Sequence, residues 1–166
     1  MNKLYILTGL PYSGKTTLRK ELVKRLNFDY VSVDEIMKEK DMWREGHPTQ
    51  DDWEVAYSDT YEKLKDLLKK DKNVVLDIGN LEFHERETAR QIAKAEGVEC
   101  KLIYVKTSME EIMRRRKENE ETKVRGHLEG DLLKSAIDKF EEPTQKENPI
   151  IYNSREDLEE WIQEIF

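Results

Sequence analysis

Apolar positions along the chain follow two alternating rhythms. Residues 3–8 (KLYILT), 30–34 (YVSVD), 73–79 (NVVLDIG), 100–107 (CKLIYVKT) and 149–153 (PIIYN) are short runs rich in β-branched and aromatic residues, and they predict five strands. Between them the apolar residues recur at helical spacing. Leu18, Leu22, Val23 and Leu26 mark a helix over Thr16–Leu26, and IMKEKDMWR suggests another that ends near Gly46. Thr49 with Asp52 forms a helix start, followed by an apolar face of Trp53, Tyr57, Tyr61, Leu64, Leu67 and Leu68. The stretch from Glu85 to Glu96 is helical and closed by Gly97, and Ser108 with Glu111 reads as a capping box. A further helix runs through Phe140, and Ser154 caps a terminal one that turns Leu158, Trp161, Ile162 and Ile165 inward. Strands alternating with helices predict an α/β fold with a parallel sheet covered on both faces, binding its ligand at the carboxyl ends of the strands. Residues 118–131 lack apolar periodicity and contain two glycines, so they predict a mobile connection. No repeat or linker divides the chain, which points to one domain over residues 1–166.

Charge narrows the partners. The chain of 166 residues carries a formal net charge of −7, which disfavours a broad electrostatic grip on nucleic acid or an anionic membrane and leaves room only for a local basic patch. Cys100 is the single cysteine and lies in an apolar run, so it reads as a buried thiol in a reducing compartment. No apolar run approaches the roughly 20 residues of a membrane span, and the expected location is the cytoplasm. The oligomeric state stays open.

The chemistry concentrates after the first strand. Gly9-Leu10-Pro11-Tyr12-Ser13-Gly14-Lys15-Thr16-Thr17 matches the Walker A pattern, in which loop amides and a helix N-terminus surround phosphate oxygens. Glycine is needed where a β-carbon would block the turn or the anion. Lys15 is the expected partner of the β- and γ-phosphates of ATP, and the Thr16 hydroxyl of Mg²⁺. Asp77 closes an apolar strand, where it either holds Mg²⁺ or makes a turn. Asp34 ends YVSVD, where it either accepts a proton from an attacking hydroxyl or caps the next helix. Arginines 114, 115 and 116, with Arg125, form a lid over about residues 114–131. One or two of the four reach the transferred phosphoryl group. Arg115 and Arg116 are the candidates there, and Arg125 the candidate at the nucleotide. Met42, Trp43, Arg44, His47, Trp53 and Tyr57 lie between the second strand and the long helix; aromatics with one arginine suit a flat or anionic molecule, although Trp53 and Tyr57 also read as core. The histidines show no zinc-ligand spacing.

GLPYSGKTTL, VSVDEI, the run from VVLDIGNLEFHER to MEEIMRRR, and KFEEP resemble the small P-loop kinases of the zeta-toxin, chloramphenicol phosphotransferase and polynucleotide-kinase type, over most of the chain. The resemblance implies a three-layer P-loop NTPase fold with strand order 2-3-1-4-5. It also implies Asp34 as general base, an Asp-x-x-Asn segment from Asp77 to Asn80 at the nucleotide and acceptor site, and Arg86 as a further substrate-site arginine. Phe140 to Pro143 would follow the lid, and Pro149 to Arg155 would neighbour the adenine. The activity implied is ATP- and Mg²⁺-dependent transfer to a small-molecule hydroxyl. A kinase of nucleic-acid 5′-hydroxyls and an ATP-binding regulatory module are the alternatives. The sequence departs from the family in its acidic lid, with His127 and Leu128, and in a region from Met37 to Tyr61 that carries no signature of one substrate.

Overall fold

The structure, a computed structural model, describes residues 1–43, 48–123 and 130–166. Strands β1 (Lys3–Thr8), β2 (Asp29–Ser32), β3 (Val74–Asp77), β4 (Glu99–Lys106) and β5 (Ile150–Asn153) form one sheet in the order β2-β3-β1-β4-β5. Every pairing is parallel, and Ser32 of β2 is in register with Asp77 of β3. The helices are α1 (Lys15–Leu26), α2 (Val33–Glu39), α3 (Gln50–Leu68), α4 (Phe83–Ala95), α5 (Met109–Thr122), α6 (Gly130–Lys139) and α7 (Leu158–Ile165).

Alternation along the strands divides the core into two layers. Leu4, Ile6, Val74, Leu76 and Leu102 point to one face, where they meet Met37 of α2, Leu64 of α3 and Ala89 of α4. Tyr5, Leu7, Val75, Ile103 and Val105 point to the other and meet Leu18 and Leu22 of α1 and Trp161 of α7. This is the expected arrangement of helices on both faces of a parallel sheet.

Several local expectations are corrected. Helix α2 starts three residues earlier than the pattern suggested, so Asp34 lies in its first turn and not at the end of a strand. The same helix stops at Glu39, because Asp41 takes a left-handed conformation (φ +53°) and the Met42 amide donates to the Met37 carbonyl at 2.9 Å. Ser108 caps α5, but Glu111 does not reciprocate: its carboxylate holds Arg114 and Arg115. Helix α5 continues through Thr122, inside the segment expected to be a mobile connection; residues 124–129 of the expected lid lie outside the described residues. The terminal helix is capped by Asp157, which accepts from the Glu160 amide at 2.9 Å, in place of Ser154, and Ile165 is exposed. Cys100 is half-buried, and burial pushes its thiol up to about 11.

Candidate active site at the strand ends

The loop leaving β1 is bent by residues that tolerate positive φ. Gly9 has φ +148°, and a β-carbon there would lie 2.6 Å from the Val105 carbonyl oxygen and 2.9 Å from Ser13 Oγ; Gly14 has φ +111°. Tyr12 is also left-handed, at φ +63°. Gly14 is the N-cap of α1, with no side-chain cap and no acidic residue in the first turn, so the first amides of that helix lack intrahelical acceptors. The loop carbonyls are held by several donors, the Ser13 amide taking that of Leu10 at 3.1 Å. Arg115 Nη1 donates to those of Tyr12 and Ser13 at 3.1 and 2.9 Å, and Thr107 Oγ1 donates to Ser13 at 2.9 Å. Lys15 Nζ folds back over the loop and donates to the carbonyls of Gly9 (2.6 Å) and Leu10 (3.0 Å). Leu10 and Pro11 are half-buried, Ser13 is buried with its Oγ unpartnered, and Thr17 is exposed beyond the loop. A glycine-cleared loop with an uncapped helix N-terminus and one lysine fits a chain of phosphates.

Asp77, at the end of β3, is 7% exposed, and Thr16 Oγ1 donates to its Oδ2 at 3.4 Å. Burial raises its carboxyl above the ordinary range, Lys15 and Arg19 counter that, and Asp34 adds to it. Among the described residues no group of three or more His, Cys, Asp or Glu could hold a metal alone. One hydroxyl beside one carboxylate is a hard-oxygen donor pair that fits Mg²⁺, an ion that keeps waters and shares phosphate oxygens.

Asp34 opens to solvent at the mouth of this crevice. Burial on its protein side pushes its carboxyl up, while Lys15 and Arg19 pull it down and Glu35 raises it. Lys15 therefore acts electrostatically on both carboxylates.

Sequence reasoning missed Arg19. It is 4% exposed, its Nη1 donates to Glu35 at 2.8 Å, and its Nε lies 3.0 Å from Asp77 Oδ2 without hydrogen-bond alignment. The guanidinium sits 4.3 Å from the centre of the Tyr30 ring, whose hydroxyl donates to Glu35 at 2.7 Å. The signal was available: a residue three after Thr16 on one helix shares its face.

Asn80 and Arg86 have other duties than the acceptor contacts expected of them. Asn80 is fully buried, and its Nδ2 donates to the Leu7 carbonyl at 3.0 Å. Arg86 is 1% exposed and makes a two-pronged pair with Glu147, 2.9 and 2.8 Å, while its Nη1 donates to the carbonyls of Asn80 and Leu81. Arg86 thus has an acceptor for each side-chain nitrogen, whereas the buried Asn80 Oδ1 has no partner. Of the three consecutive arginines, Arg114 is exposed and pairs with Glu111 and Glu118, and Arg115 holds the loop. Arg116 is half-buried, with Nη2 3.7 Å from Glu120. Arg44, His47, Arg125, His127 and Leu128 lie outside the described residues.

Comparison with known proteins agrees with this geometry. A protein-family profile described as "AAA domain" matches residues 4–143. The chain is 26% identical over 167 residues to a protein of Schizosaccharomyces pombe named as a probable gluconokinase, covering 97% of this chain and 84% of that one. It is 29% identical over 153 residues to a shikimate kinase of Clostridium botulinum, covering 89% and 81%. Among solved structures, an unliganded sugar kinase from Janibacter sp. HTCC2649 superposes with a TM-score of 0.71 at 18% identity, covering 99% of this chain and 92% of that one.

Proposed function

The chain belongs to this AAA-domain family, and we propose that it is an ATP- and Mg²⁺-dependent phosphotransferase that moves the γ-phosphoryl group of ATP to a hydroxyl of a small-molecule acceptor. The observation that carries the reading is the loop itself: Lys15 Nζ folds over the glycine-cleared turn, 2.6 and 3.0 Å from the Gly9 and Leu10 carbonyls, and the next residue, Thr16, donates to the buried Asp77. The related gluconokinase and shikimate kinase both phosphorylate small molecules by name, and that supports a small acceptor here.

In this reading Mg·ATP supplies the phosphoryl group and the metal's charge. The amides of the Gly9–Thr17 loop and Lys15 Nζ bind the phosphate oxygens, Lys15 exchanging its two loop carbonyls for them. Thr16 and Asp77 provide the protein's oxygens to the metal. Arg115 fixes the loop from behind by holding two of its carbonyls. Asp34 accepts the acceptor's hydroxyl proton as the new O–P bond forms and the bond to the ADP oxygen breaks; a carboxyl raised by burial is a better base for that transfer than an ordinary one. Among the described residues no helix is long and apolar enough to cross a membrane. The reading takes the chain as a single domain working in the cytoplasm.

ADP release from Mg·ATP tests this across a panel of sugars, sugar acids, nucleosides, amino alcohols and 5′-hydroxyl oligonucleotides, with Lys15→Ala as the blank. One small-molecule class should stimulate release and acquire the phosphate. Asp34→Asn should lower turnover roughly 10²- to 10⁴-fold while ATP affinity stays within about threefold. Near-normal turnover in Asp34→Asn would remove it as the base, and ATP binding with no acceptor-dependent release would favour a binding module.

A further inference from the structure

The first turn of α2 carries a capping signature that it does not use. Ser32-Val33-Asp34-Glu35 has a serine at the N-cap and a glutamate three residues on, which is the sequence of a reciprocal capping box. The carboxylates at the same position of α3 and α4, Asp52 and Glu85, each accept from the amide of their N-cap residue, at 2.8 and 3.0 Å. At α2 the Ser32 side chain makes no cap bond, and both oxygens of Glu35 are engaged away from the helix. Its Oε1 accepts from Arg19 Nη1 at 2.8 Å, and its Oε2 from the Tyr30 hydroxyl at 2.7 Å. A local preference set aside in this way is expected where a residue serves the site in place of its own helix.

Those two bonds join the elements that carry the chemistry. Arg19 stands on α1 one turn beyond Lys15, is 4% exposed, and has its Nε 3.0 Å from Asp77 Oδ2 at the end of β3. Its guanidinium lies 4.3 Å from the centre of the Tyr30 ring on β2, so the two donors to Glu35 also brace each other. Val33, Ile36 and Met37 seat the inner side of α2 in the core, and apolar contacts of that kind have no direction. Glu35 supplies the directional bonds of the first turn. Successive side chains on a helix point about 100° apart, so fixing the direction of Glu35 also fixes that of Asp34 beside it.

We propose that Glu35 is a positioning residue for the phosphoryl transfer: held by Arg19 and Tyr30, it sets the first turn of α2 so that the Asp34 carboxylate faces the crevice where Thr16 and Asp77 meet. This rests on the phosphotransferase reading and adds to it the residue that orients the base. Glu35 acts through Asp34 and touches neither nucleotide nor acceptor.

The test compares the whole chain as parent, Glu35→Ala and Glu35→Gln. Glutamine keeps both contacts, because its carbonyl accepts from Arg19 and its amide donates to the Tyr30 oxygen, which accepts as well as donates; alanine keeps neither. Each protein is labelled with ¹⁵N and bound to a non-hydrolysable ATP analogue with Mn²⁺. The paramagnetic broadening of the Asp34 amide is then read against that of Leu18 on α1, with Mg²⁺ as the diamagnetic reference. The ratio should shift in Glu35→Ala and return to the parent value in Glu35→Gln, while analogue affinity stays within about threefold in both. An unchanged ratio in Glu35→Ala, even with a lower melting temperature, would make Glu35 part of the frame alone. A shift in both variants would leave the two bonds without a role, and a larger loss of analogue affinity in Glu35→Ala would place Glu35 at the metal, through Arg19 and Asp77. Each of these three results overturns the proposal. Failure of the analogue to bind the parent would instead sink the phosphotransferase reading, and hydrogen exchange of α2 in the ligand-free chain would still decide the anchor. Exchange about tenfold faster in Glu35→Ala and parent-like in Glu35→Gln upholds it, and equal exchange in all three removes it.

Discussion

Two buried arginines flank the strand that carries Asp77, and they are satisfied to different degrees. All three side-chain nitrogens of Arg86 have acceptors: two on Glu147 and one shared between the Asn80 and Leu81 carbonyls. Arg19 is almost as buried, but its Nε lies near Asp77 without alignment, and one face of its guanidinium rests on the Tyr30 ring. A completed network holds a fold together, whereas an incomplete one leaves a carboxylate able to accept another partner. Arg86 therefore reads as part of the frame, and Arg19 as part of the site, where Asp77 keeps oxygen capacity for a metal. The loop after β3 shows what the frame does. Asn80 joins β1 through the Leu7 carbonyl and Thr8 Oγ1, while Arg86 and Glu141 join the same loop to the segment that precedes β5.

The largest effect should come from breaking the complete network. Arg86→Met leaves Glu147 buried without its main cation and should cost about 3–5 kcal/mol in urea unfolding. Arg86→Met combined with Glu147→Leu should recover most of that, because matched apolar groups carry no desolvation penalty. If the single variant is as stable as the parent, the assignment of Arg86 to the frame fails. The same pair sets an acid limit. Burial would raise the Glu147 carboxyl, but Arg86 and Arg90 hold it down at about 2, against an unfolded value of 4.5. A carboxyl lowered in the folded state stabilises above its unfolded value and loses that contribution as the pH falls through the folded one. Urea midpoints should accordingly fall between pH 4.5 and about 2, and the double variant should flatten that part of the profile.

Arg19 should act on chemistry more than on stability. Asp77 is raised by burial and held back by Lys15 and Arg19. In Arg19→Met its carboxyl should rise further, because a cation that holds it down is lost. Since a protonated Asp77 offers no charge to Mg²⁺, the acid limb of Mg·ATP binding should move to higher pH. An unmoved limb would place Arg19 with Arg86, as frame.

The contrast also marks what the sequence could and could not tell. The five strands, the helices between them and the phosphate loop were legible because each rests on short-range pattern: short runs of β-branched and aromatic residues, a capping box at Thr49 and glycines at fixed offsets, while the strand order came with the resemblance. The early stop of α2 was not, because Asp41 fills the left-handed position that glycine commonly takes, as Gly97 does after α4. Nor were the roles of the arginines. Arg19, Arg86 and Arg115 differ only in which distant carboxylate or carbonyl the fold brings to them, and Glu147 reaches Arg86 across 61 residues of chain. Asn80 was expected at a ligand from the resemblance of Asp77 to Asn80; its Nδ2 is bound to β1, and its Oδ1 has no partner.

The smallest effects separate the three consecutive arginines of α5. Arg115 reaches across to the Tyr12 and Ser13 carbonyls and is steadied by Glu111 at 2.7 Å, so Arg115→Ala releases two carbonyls of the phosphate loop. Charge-assisted bonds of this kind contribute about 1.5–3 kcal/mol, enough to weaken ATP binding about tenfold or more without touching the phosphates. Arg114 pairs with the same Glu111, but its side chain is 61% exposed and its bonds stay on one helix. Exposed pairs of that sort contribute little, so Arg114→Ala should leave both ATP affinity and the urea midpoint nearly unchanged. The comparison is sharp because the two side chains are neighbours in sequence and share one carboxylate. If Arg114→Ala weakened ATP binding as much as Arg115→Ala, the effect would belong to the net positive charge of the helix, and the contact with the loop would lose its standing as the cause.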